Sequence, residues 1–510
     1  MCDCHALDRR SLLRAGAGVA TVGALATFSP AAAGAARTQT FTGSFTSPTT
    51  PDWHYLPIKV PRGVREIAVS YDFQPTDTGA GFSYNVVDIG IFDPSGHDLG
   101  NAKGFRGWSG GARRSFRISR TSATPGYLAG PITPGVWSIV LGPYAIVPPG
   151  TEWQVTVTLR FGDPGPRFEA APAPPSVPGT GPGWYRGDLH LHTVHSDGKR
   201  TQPEMIAAAR AAGLDFIGSS DHSTSSASYT WGRHTPPDFL VINGEEVTTR
   251  SGHWLATGLP AGTWIDWRYR AGDDQLQRFT DRVRAVGGLA IAAHPFNPVP
   301  SIRWEFGYDY AGIDAIEVWN GPWTGDDQTA VEHWHSMLAS GTFIPVVGNS
   351  DSHVDSQKVG LAQTVVRLPT LSTAAVVRAI RGGHVWVAES SDVDLEFEAK
   401  LADPSLINDG SARTASCGDH LGAEPTDVVD VRLTASGVPG SVAQIRGPVG
   451  VLAGGTADDA GRVTVTASVP AGTTPFVRAE IRRPDDVVVS PVDDMPAAQM
   501  VALTNPIFLT

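Results

Sequence analysis

The sequence predicts a multidomain protein in which an amino-terminal β-sandwich, a barrel-type α/β domain and a smaller all-β domain follow one another. Three observations lead there. A chain of 510 residues is too long for one hydrophobic core, which stops growing near about 250–300 residues. From about Thr40 to Phe161 the sequence is written in short alternating runs punctuated by Gly and Pro, whereas from Trp184 such runs alternate with helical ones. From about Ser391 the β pattern returns.

The elements are justified in order. In residues 1–36, Asp8-Arg9-Arg10-Ser11-Leu12-Leu13-Arg14 precedes an Ala/Gly-rich apolar run from Ala15 to Phe28 and the small residues Ala31 to Ala36. This is the pattern of a twin-arginine signal peptide, and Gly16, Gly18 and Gly23 make the same run a poor core helix. The expectation is export by the twin-arginine translocase, with cleavage after Ala33 or Ala36, to a secreted or cell-envelope exterior location. Cys2 and Cys4 then leave with the peptide, and Cys417 alone makes no internal disulfide. Residues 40–161, with YLPIKV, REIAVSYDF, GVWSIVLGPY and TEWQVTVTLRF, read as an antiparallel, jelly-roll-like sandwich. Residues 162–183 (GDPGPRFEAAPAPPSVPGTGPG) read as a semi-rigid Pro/Gly linker.

In residues 184–390 the strands GDLHLHT, LDFIGSSDH, FLVINGEEVTT, LAIAAHP, DAIEVWN and FIPVVGNSDSH alternate with helices expected at 202–212, 273–286, 327–340 and 372–380. That alternation means a parallel sheet or barrel with helices outside, whose chemistry sits at the carboxyl ends of the strands. Residues 391–510, with VDLEFEAKL, DVVDVRLTA, GRVTVTASV and FVRAEIRR, close the chain as the smaller all-β domain. The net charge of -12 argues against a nucleic-acid partner, which is met by a surplus of Lys and Arg. No membrane span is expected.

The stretch GDLHLHTVHSDG holds three of the chain's 15 histidines, a concentration that asks for a purpose. In extended backbone Asp188, His190 and His192 share one face, and Leu189 and Leu191 share the other. One histidine at a strand end is commonly a satisfied polar residue. Here other strand ends add Asp221-His222, Glu245-Glu246, His253, His294 and the pair Asp351 and His353. His, Asp and Glu without sulfur suit Zn, Mn or Fe held for reaction. They are too many for one ion accepting about four to six ligands, so more than one metal is expected.

In this order, GDLHLHTVHSDG, GSSDH, NGEEVTTRSGHW, AAHP, IEVWNG and GNSDSH resemble the polymerase-and-histidinol-phosphatase (PHP) superfamily of metallohydrolases. They are similar in particular to the branch named after a bacterial carbaryl hydrolase, which the terminal TNPIFL also resembles. The resemblance covers about Trp184 to Ser390 and implies a distorted (β/α)7 barrel with a trinuclear centre of two to three divalent ions. It implies that His190, His192, Glu246 and Asp351 hold one ion. Glu246 then bridges to a second ion held by His253 and His294, and Asp197, His222 and His353 hold the third. Glu246 is preferred to Glu245 because the family pattern is Gly, any residue, Glu, and only one of two adjacent residues on a strand faces the metals. His195 is an alternative or supplement to Asp197. Asp188 and Asp221 are expected to orient ligand imidazoles, or to make strand-end hydrogen bonds.

Two ions about 3.5–4 Å apart lower the pKa of a water between them, giving a metal-bridging hydroxide, and polarise a phosphoryl or carbonyl oxygen. Hydrolysis of a small-molecule ester or phosphoester is therefore expected, and no GxGxxG, GxxxxGK[ST] or GxSxG motif competes. Candidates to touch substrate or protonate the leaving group are Asn320, His234, Arg233 and Arg250, although an Arg or His in a loop is often only solvated. His333 and His335, two apart on a helix, face different ways and are read as surface or packing residues. Three functions stay open: a phosphoesterase, a carbamate or carboxylic ester hydrolase, and a non-catalytic metal-binding or surface-binding module. The first is preferred because a third ion can neutralise an additional phosphate oxygen. The intact ligand set argues against the last.

Overall fold

Alternation builds the first part of the molecule. Along Thr151–Phe161 every second residue, from Thr151 to Leu159, is buried and those between are not. A computed structural model describes residues 36–46, 50–74, 85–300, 302–403, 414–489 and 496–509. The expected export signal therefore lies outside the described residues except for Ala36. Arg37–Phe45, Thr151–Phe161, Val64–Phe73 and Ser115–Ser119 form one antiparallel sheet, in that order, and His54–Val60, Gly135–Ala145, Val86–Phe92 and Phe105–Trp108 form another. Phe41, Ile67, Ile89, Trp137 and Val155 share the core of these two sheets.

In the second sheet the alternation fails. Residues 137–143 of strand Gly135–Ala145 are all buried, because the outer face of that sheet is covered as well. Phe92, Phe105, Trp108 and Val140 join Trp254, Trp264 and Trp267 in one core, and Phe105 stacks on Trp264 at 4.0 Å between centroids. At the edge of this contact Arg268 forks onto Asp266 and donates to the Tyr55 hydroxyl at 2.5 Å. The segment 162–183 follows without a helix, yet it is no free spacer. The backbone N–H of Val177 donates to Leu371 O, that of Ala171 to Tyr229 O and that of Thr373 to Pro175 O, so its prolines are strapped against the α/β region.

There the strands run in the order Val346–Asn349, Ala315–Asn320, Leu289–Ala292, Gly252–Thr257, Leu240–Thr249, Phe216–Ser219, Gly183–Asp188, Gln363–Leu368 and Val385–Ala388. The end strand curls back on the middle, where the Leu189 N–H donates to Asn349 Oδ1 at 2.8 Å and Leu191 bridges Ser352. The expected (β/α)7 arrangement is found only in part. Among the described residues four helices occur: α1 (Gln202–Ala211), α2 (Leu276–Ala285), α3 (Gly325–Ala339) and α4 (Thr373–Arg381). Leu240–Thr249, Gly252–Thr257 and Leu289–Ala292 pair antiparallel, as do Gly183–Asp188, Gln363–Leu368 and Val385–Ala388. Antiparallel neighbours need only turns, where parallel ones need helical crossovers. Helix α2 starts later than expected because Asp274, at φ 53°, sits in the left-handed region.

The β segment after residue 390 is hydrogen-bonded into the same sheet. Pro496–Thr504 pairs with Val385–Ala388, and the ladder runs on through Phe476–Val489 and Val442–Gly447. Asn505, inside TNPIFL, donates to Val346 O and Val385 O and accepts from Val346 N. Asp394–Leu401, Val428–Ser436 and Val463–Pro470 make a separate three-stranded sheet that shares a core with Val477, Ile481 and Val501. No helix among the described residues is long and apolar enough to cross a membrane.

Candidate metal centre

Leu189 and Leu191 are each drawn into a hydrophobic core, which commits His190 and His192 to the opposite face, where both are fully buried. Around them the structure brings together all nine of the residues expected as ligands. Glu246 stands at the centre. Its Oε1 lies 2.8 Å from His253 Nδ1 and 3.3 Å from His294 Nε2, and its Oε2 lies 2.7 Å from His222 Nδ1 and 3.4 Å from the Nε2 atoms of His190 and His192. Asp351 Oδ1 lies 3.3 Å from His190 Nε2 and 3.0 Å from His192 Nε2. On the outer side Asp197 Oδ1 lies 3.6 Å from His222 Nε2 and 3.5 Å from His353 Nε2.

These atoms fall into three overlapping groups: His192, Asp197, His222 and His353; His190, His192 and Asp351; and His190, Glu246 and His294. The grouping departs from the expected one in placing His192 with the outer set as well, in setting His190 beside Glu246 and His294, and in leaving His253 out of all three groups, although His253 Nδ1 lies 2.8 Å from Glu246 Oε1. Two backbones pay locally for the convergence, since His294 (φ 31°) and Asp351 (φ 49°) adopt left-handed conformations that cost a non-glycine residue about 1–3 kcal/mol. The ring nitrogens that face away are held in turn, His353 Nδ1 donating to Asp351 O at 2.8 Å and His192 Nδ1 having Ser196 Oγ at 3.4 Å, while His222 Nδ1 lies 2.8 Å from Thr248 Oγ1 as well as beside Glu246.

Sequence reasoning missed Glu317, the buried acceptor that meets His190 Nδ1 at 3.1 Å. It also accepts from Asn349 Nδ2 at 2.8 Å, Asn320 Nδ2 at 2.9 Å and the His294 N–H at 2.9 Å. IEVWNG offered only a weak signal, a single carboxylate in a strand whose other residues up to Trp319 are apolar and buried. The aspartates expected to orient imidazoles do other work. Asp188 accepts from the backbone N–H groups of His190, Ser350 and Gly360, and Asp221 from Thr193 and Ser196. Both fix loops, and Glu317 takes the imidazole. His195 turns away to Ser226 Oγ at 2.8 Å.

Of the four substrate candidates, Asn320 reaches the centre through Glu317 and Asp351 (3.5 Å), and Arg250 lines the cavity of about 500 Å³ above it. Arg233 and His234 are elsewhere. The short turns over 226–233 carry them to a different cavity, where Arg233 lies over the Phe168 ring and donates to Glu169 O. His333 Nε2 donates to Tyr308 O and His335 Nδ1 accepts from Arg478 Nε, both away from the centre. Glu245 is turned to the opposite face from Glu246 but is fully buried, accepting from the Ile265 N–H at 2.6 Å.

Burial disfavours charge on every group of the cluster, and at several it is overcome. His222, His190 and His253 hold the Glu246 carboxyl well below the usual carboxylate range against burial, and His190 and His192 do the same for Asp351. Burial would lower His222, yet Glu246, Asp197 and Asp351 bring it up to about 10. His192 is pushed down to about 4 by burial and by the imidazoles of His353 and His222. A dense set of ionised carboxylates and imidazoles of both tendencies is one that cations can satisfy better than protons.

Comparison with known proteins finds partial similarities. A profile described as PHP-associated matches residues 338–385, which supports a relation to the PHP superfamily. An uncharacterized protein of Methanocaldococcus jannaschii is 24% identical over 152 residues, spanning 26% of this chain and 81% of that protein. Among solved structures, a two-domain protein from Bacteroides vulgatus, described as containing a predicted PHP-like metal-dependent phosphoesterase, aligns over 66% of this chain and all of that one at 16% identity and a TM-score of 0.34. An amidohydrolase from Chromobacterium violaceum, with sulfate and no metal bound, aligns over 34% of this chain and 89% of its own at 18% identity and a TM-score of 0.26.

Proposed function

We propose that the chain is a metal-dependent phosphoesterase acting on a small-molecule substrate. One observation carries this reading. His190 Nε2, His192 Nε2, Asp197 Oδ1, Glu246 Oε2, His253 Nε2, His294 Nδ1 and Asp351 Oδ1 are buried atoms that no hydrogen bond from outside the cluster satisfies, and Glu246 Oε2 and Asp351 Oδ1 face only other members of the expected ligand set. Such groups are costly to bury alone. Ligand atoms about 2.0–2.1 Å from a tetrahedral ion lie about 3.3 Å apart, and the 3.0–3.4 Å separations of His190, His192, Glu246 and Asp351 fit that spacing. The donor set thus suits two to three divalent ions of the Zn, Mn or Fe class, which the residues that the PHP resemblance implies as ligands would hold.

Ions bound there supply an acidified water and a Lewis acid for a phosphoryl or carbonyl oxygen. The chain's own groups prepare the ligands for that task. Glu317 holds His190 by Nδ1 so that Nε2 faces inward, and Asn320 ties Glu317 to Asp351, which keeps the carboxylates oriented without neutralising them. Three overlapping ligand groups favour a phosphoester, whose extra oxygen gives a third ion something to neutralise.

A second reading, a carbamate or carboxylic ester hydrolase, is favoured by the aromatic cavity wall of Trp53, Trp108, Tyr144 and Trp267. The deciding experiment assays metal-defined protein against 4-nitrophenyl phosphate, bis(4-nitrophenyl) phosphate, 4-nitrophenyl acetate and an aryl carbamate. Phosphoester turnover that a chelator abolishes and metal restores is expected. Turnover of acetate or carbamate alone would select the second reading, and no turnover of any probe would leave only a binding module. Export by the twin-arginine route is part of the proposal. Arg9→Lys with Arg10→Lys should block export of a reporter carried behind residues 1–40, and unchanged export would refute the route.

A further inference from the structure

The cavity above the ligand cluster has a second wall, and it comes from the amino-terminal sheets. Trp53 precedes the strand His54–Val60, Asp88 lies in Val86–Phe92 and Tyr144 in Gly135–Ala145, and all three line the same cavity as Glu246 and Asp351. Arg250, on the tight turn between Leu240–Thr249 and Gly252–Thr257, rises to meet them. Its guanidinium carbon stands 4.5 Å from the Tyr144 ring centroid and 5.1 Å from that of Trp53. Aromatic faces hold a guanidinium from its flat sides, but they accept none of the in-plane N–H bonds.

Those bonds are the point. Nε, Nη1 and Nη2 of Arg250 are all buried and none has a hydrogen-bond partner among the described residues. The other arginines at this junction are engaged. Arg268 forks onto Asp266, Arg270 forks onto Asp52 at 2.7 Å, and Arg113 donates to the carbonyls of Ser196 and Val194. A guanidinium stripped of water, packed against two rings and left with its N–H donors unused is prepared for a planar or tetrahedral oxyanion taken through paired N–H bonds. Asp88 lines the same cavity and, with its carboxyl pushed up to about 6 by burial, feels Arg250 as well as His222 and Asp197. Arg250 is no member of the ligand groups and meets a different portion of whatever fills the cavity.

We propose that Arg250, clamped by Trp53 and Tyr144, is a specificity-determining receptor for a second oxyanion, carboxylate or phosphate, that the substrate carries away from the bond hydrolysed. The inference rests on reading this cavity as a hydrolase site, and it gives the amino-terminal sandwich a role: both residues that pack on the guanidinium belong to it. The substrate class is accordingly an ester whose leaving or acyl portion bears its own negative charge.

Two measurements on the metal-loaded, full-length chain test it, and only one needs turnover. In calorimetric titrations with inorganic phosphate and, separately, benzoate, at least one of the two should show a binding event that Arg250→Gln loses or weakens about tenfold or more. Arg250→Lys should restore it partly, and Arg233→Gln, in the other cavity, should leave it intact. Which probe depends on Arg250 distinguishes phosphate from carboxylate. In kinetics, a 4-nitrophenyl ester bearing a remote carboxylate should lose its advantage over the neutral ester through KM in Arg250→Gln, with kcat little changed. Identical titrations for the natural chain and Arg250→Gln, with both probes, would overturn the proposal, as would loss of binding in Arg233→Gln. Absence of all hydrolysis with Arg250-dependent anion binding retained would instead overturn the hydrolase reading and leave the oxyanion receptor standing.

Discussion

The sandwich meets the α/β sheet around two cavities, and the larger is chemically the quieter. At about 900 Å³ it is lined by polar residues such as Arg106, Gln202, His195 and Arg233. Each of them has a partner: Arg106 the carbonyls of Leu128, Gly130 and Pro131, Gln202 that of Ala227, His195 the Ser226 hydroxyl and Arg233 the Glu169 carbonyl. The smaller cavity, about 500 Å³, contains Asp197, Glu246, Arg250, His253, His294 and Asp351, and every one of these has a buried polar atom left unpaired. Size follows from how two surfaces happen to meet. Unpaired buried donors and acceptors cost free energy, so they persist where a ligand repays the cost.

The largest effect that would break this comparison is at Glu246. Glu246→Gln removes charge from the middle of the cluster and should lower kcat/KM at least about a hundredfold, comparable to losing an electrostatic contact worth about 2.7–4 kcal/mol. Glu245→Gln should keep its metal, since its carboxyl faces Ile265 on the other side of the strand. If Glu245→Gln were the inactive variant, the two faces of this strand would have been interchanged.

Next in size is a pH effect on the upper wall. Burial pushes the Asp88 carboxyl up to about 6 from an ordinary 3.8. The folded chain then holds this proton more tightly than the unfolded chain does, and stability falls as the pH rises from about 4 to about 6. Asp88→Asn should remove that loss. It should be more stable than the natural chain at pH 7, by up to about 3 kcal/mol, with the difference fading by pH 4. Denaturant unfolding at the two pH values checks it, and a difference of the same size at both would refute it.

Glu317→Gln sharpens the comparison from below. It keeps the shape that supports His190 Nδ1 but loses the charge, and metal affinity should drop about 10–100-fold, with activity recovered in excess metal. The smallest effects are expected in the larger cavity. Arg233→Gln and His234→Gln should change kcat/KM less than about twofold and stability within about 0.5 kcal/mol, and a tenfold loss of activity would transfer the chemistry to that cavity.

Much of the lower wall was legible because strand periodicity and metal chemistry use the same residues. A two-residue spacing places His190 with His192, and the leucines between them declare which face is core. Glu317 escaped because a lone glutamate within an apolar strand has no spacing partner, and its role appears only when the sheet curls it under His190. Asp188 and Asp221 took the second of the two roles open to them, strand-end hydrogen bonds, because an aspartate beside a histidine in sequence is not beside its ring in space, and backbone N–H groups were nearer. The four helices expected along the barrel region are the four α-helices found there, but the (β/α)7 arrangement that the resemblance implies was overread, because a parallel pair and an antiparallel pair of strands look alike in sequence, while only the first demands a crossover. The upper wall was illegible altogether. Trp53, Asp88 and Tyr144 are ordinary sandwich residues until the sandwich docks, and docking depends on surface fit between segments some two hundred residues apart.

Metal content measures the central claim most directly. Protein loaded with Zn, Mn or Fe and then desalted should retain two to three equivalents per chain by elemental analysis, Glu245→Gln should retain the same, and Glu246→Gln should lose at least one. One equivalent or fewer in the natural chain, or equal retention by the two variants, would contradict the account.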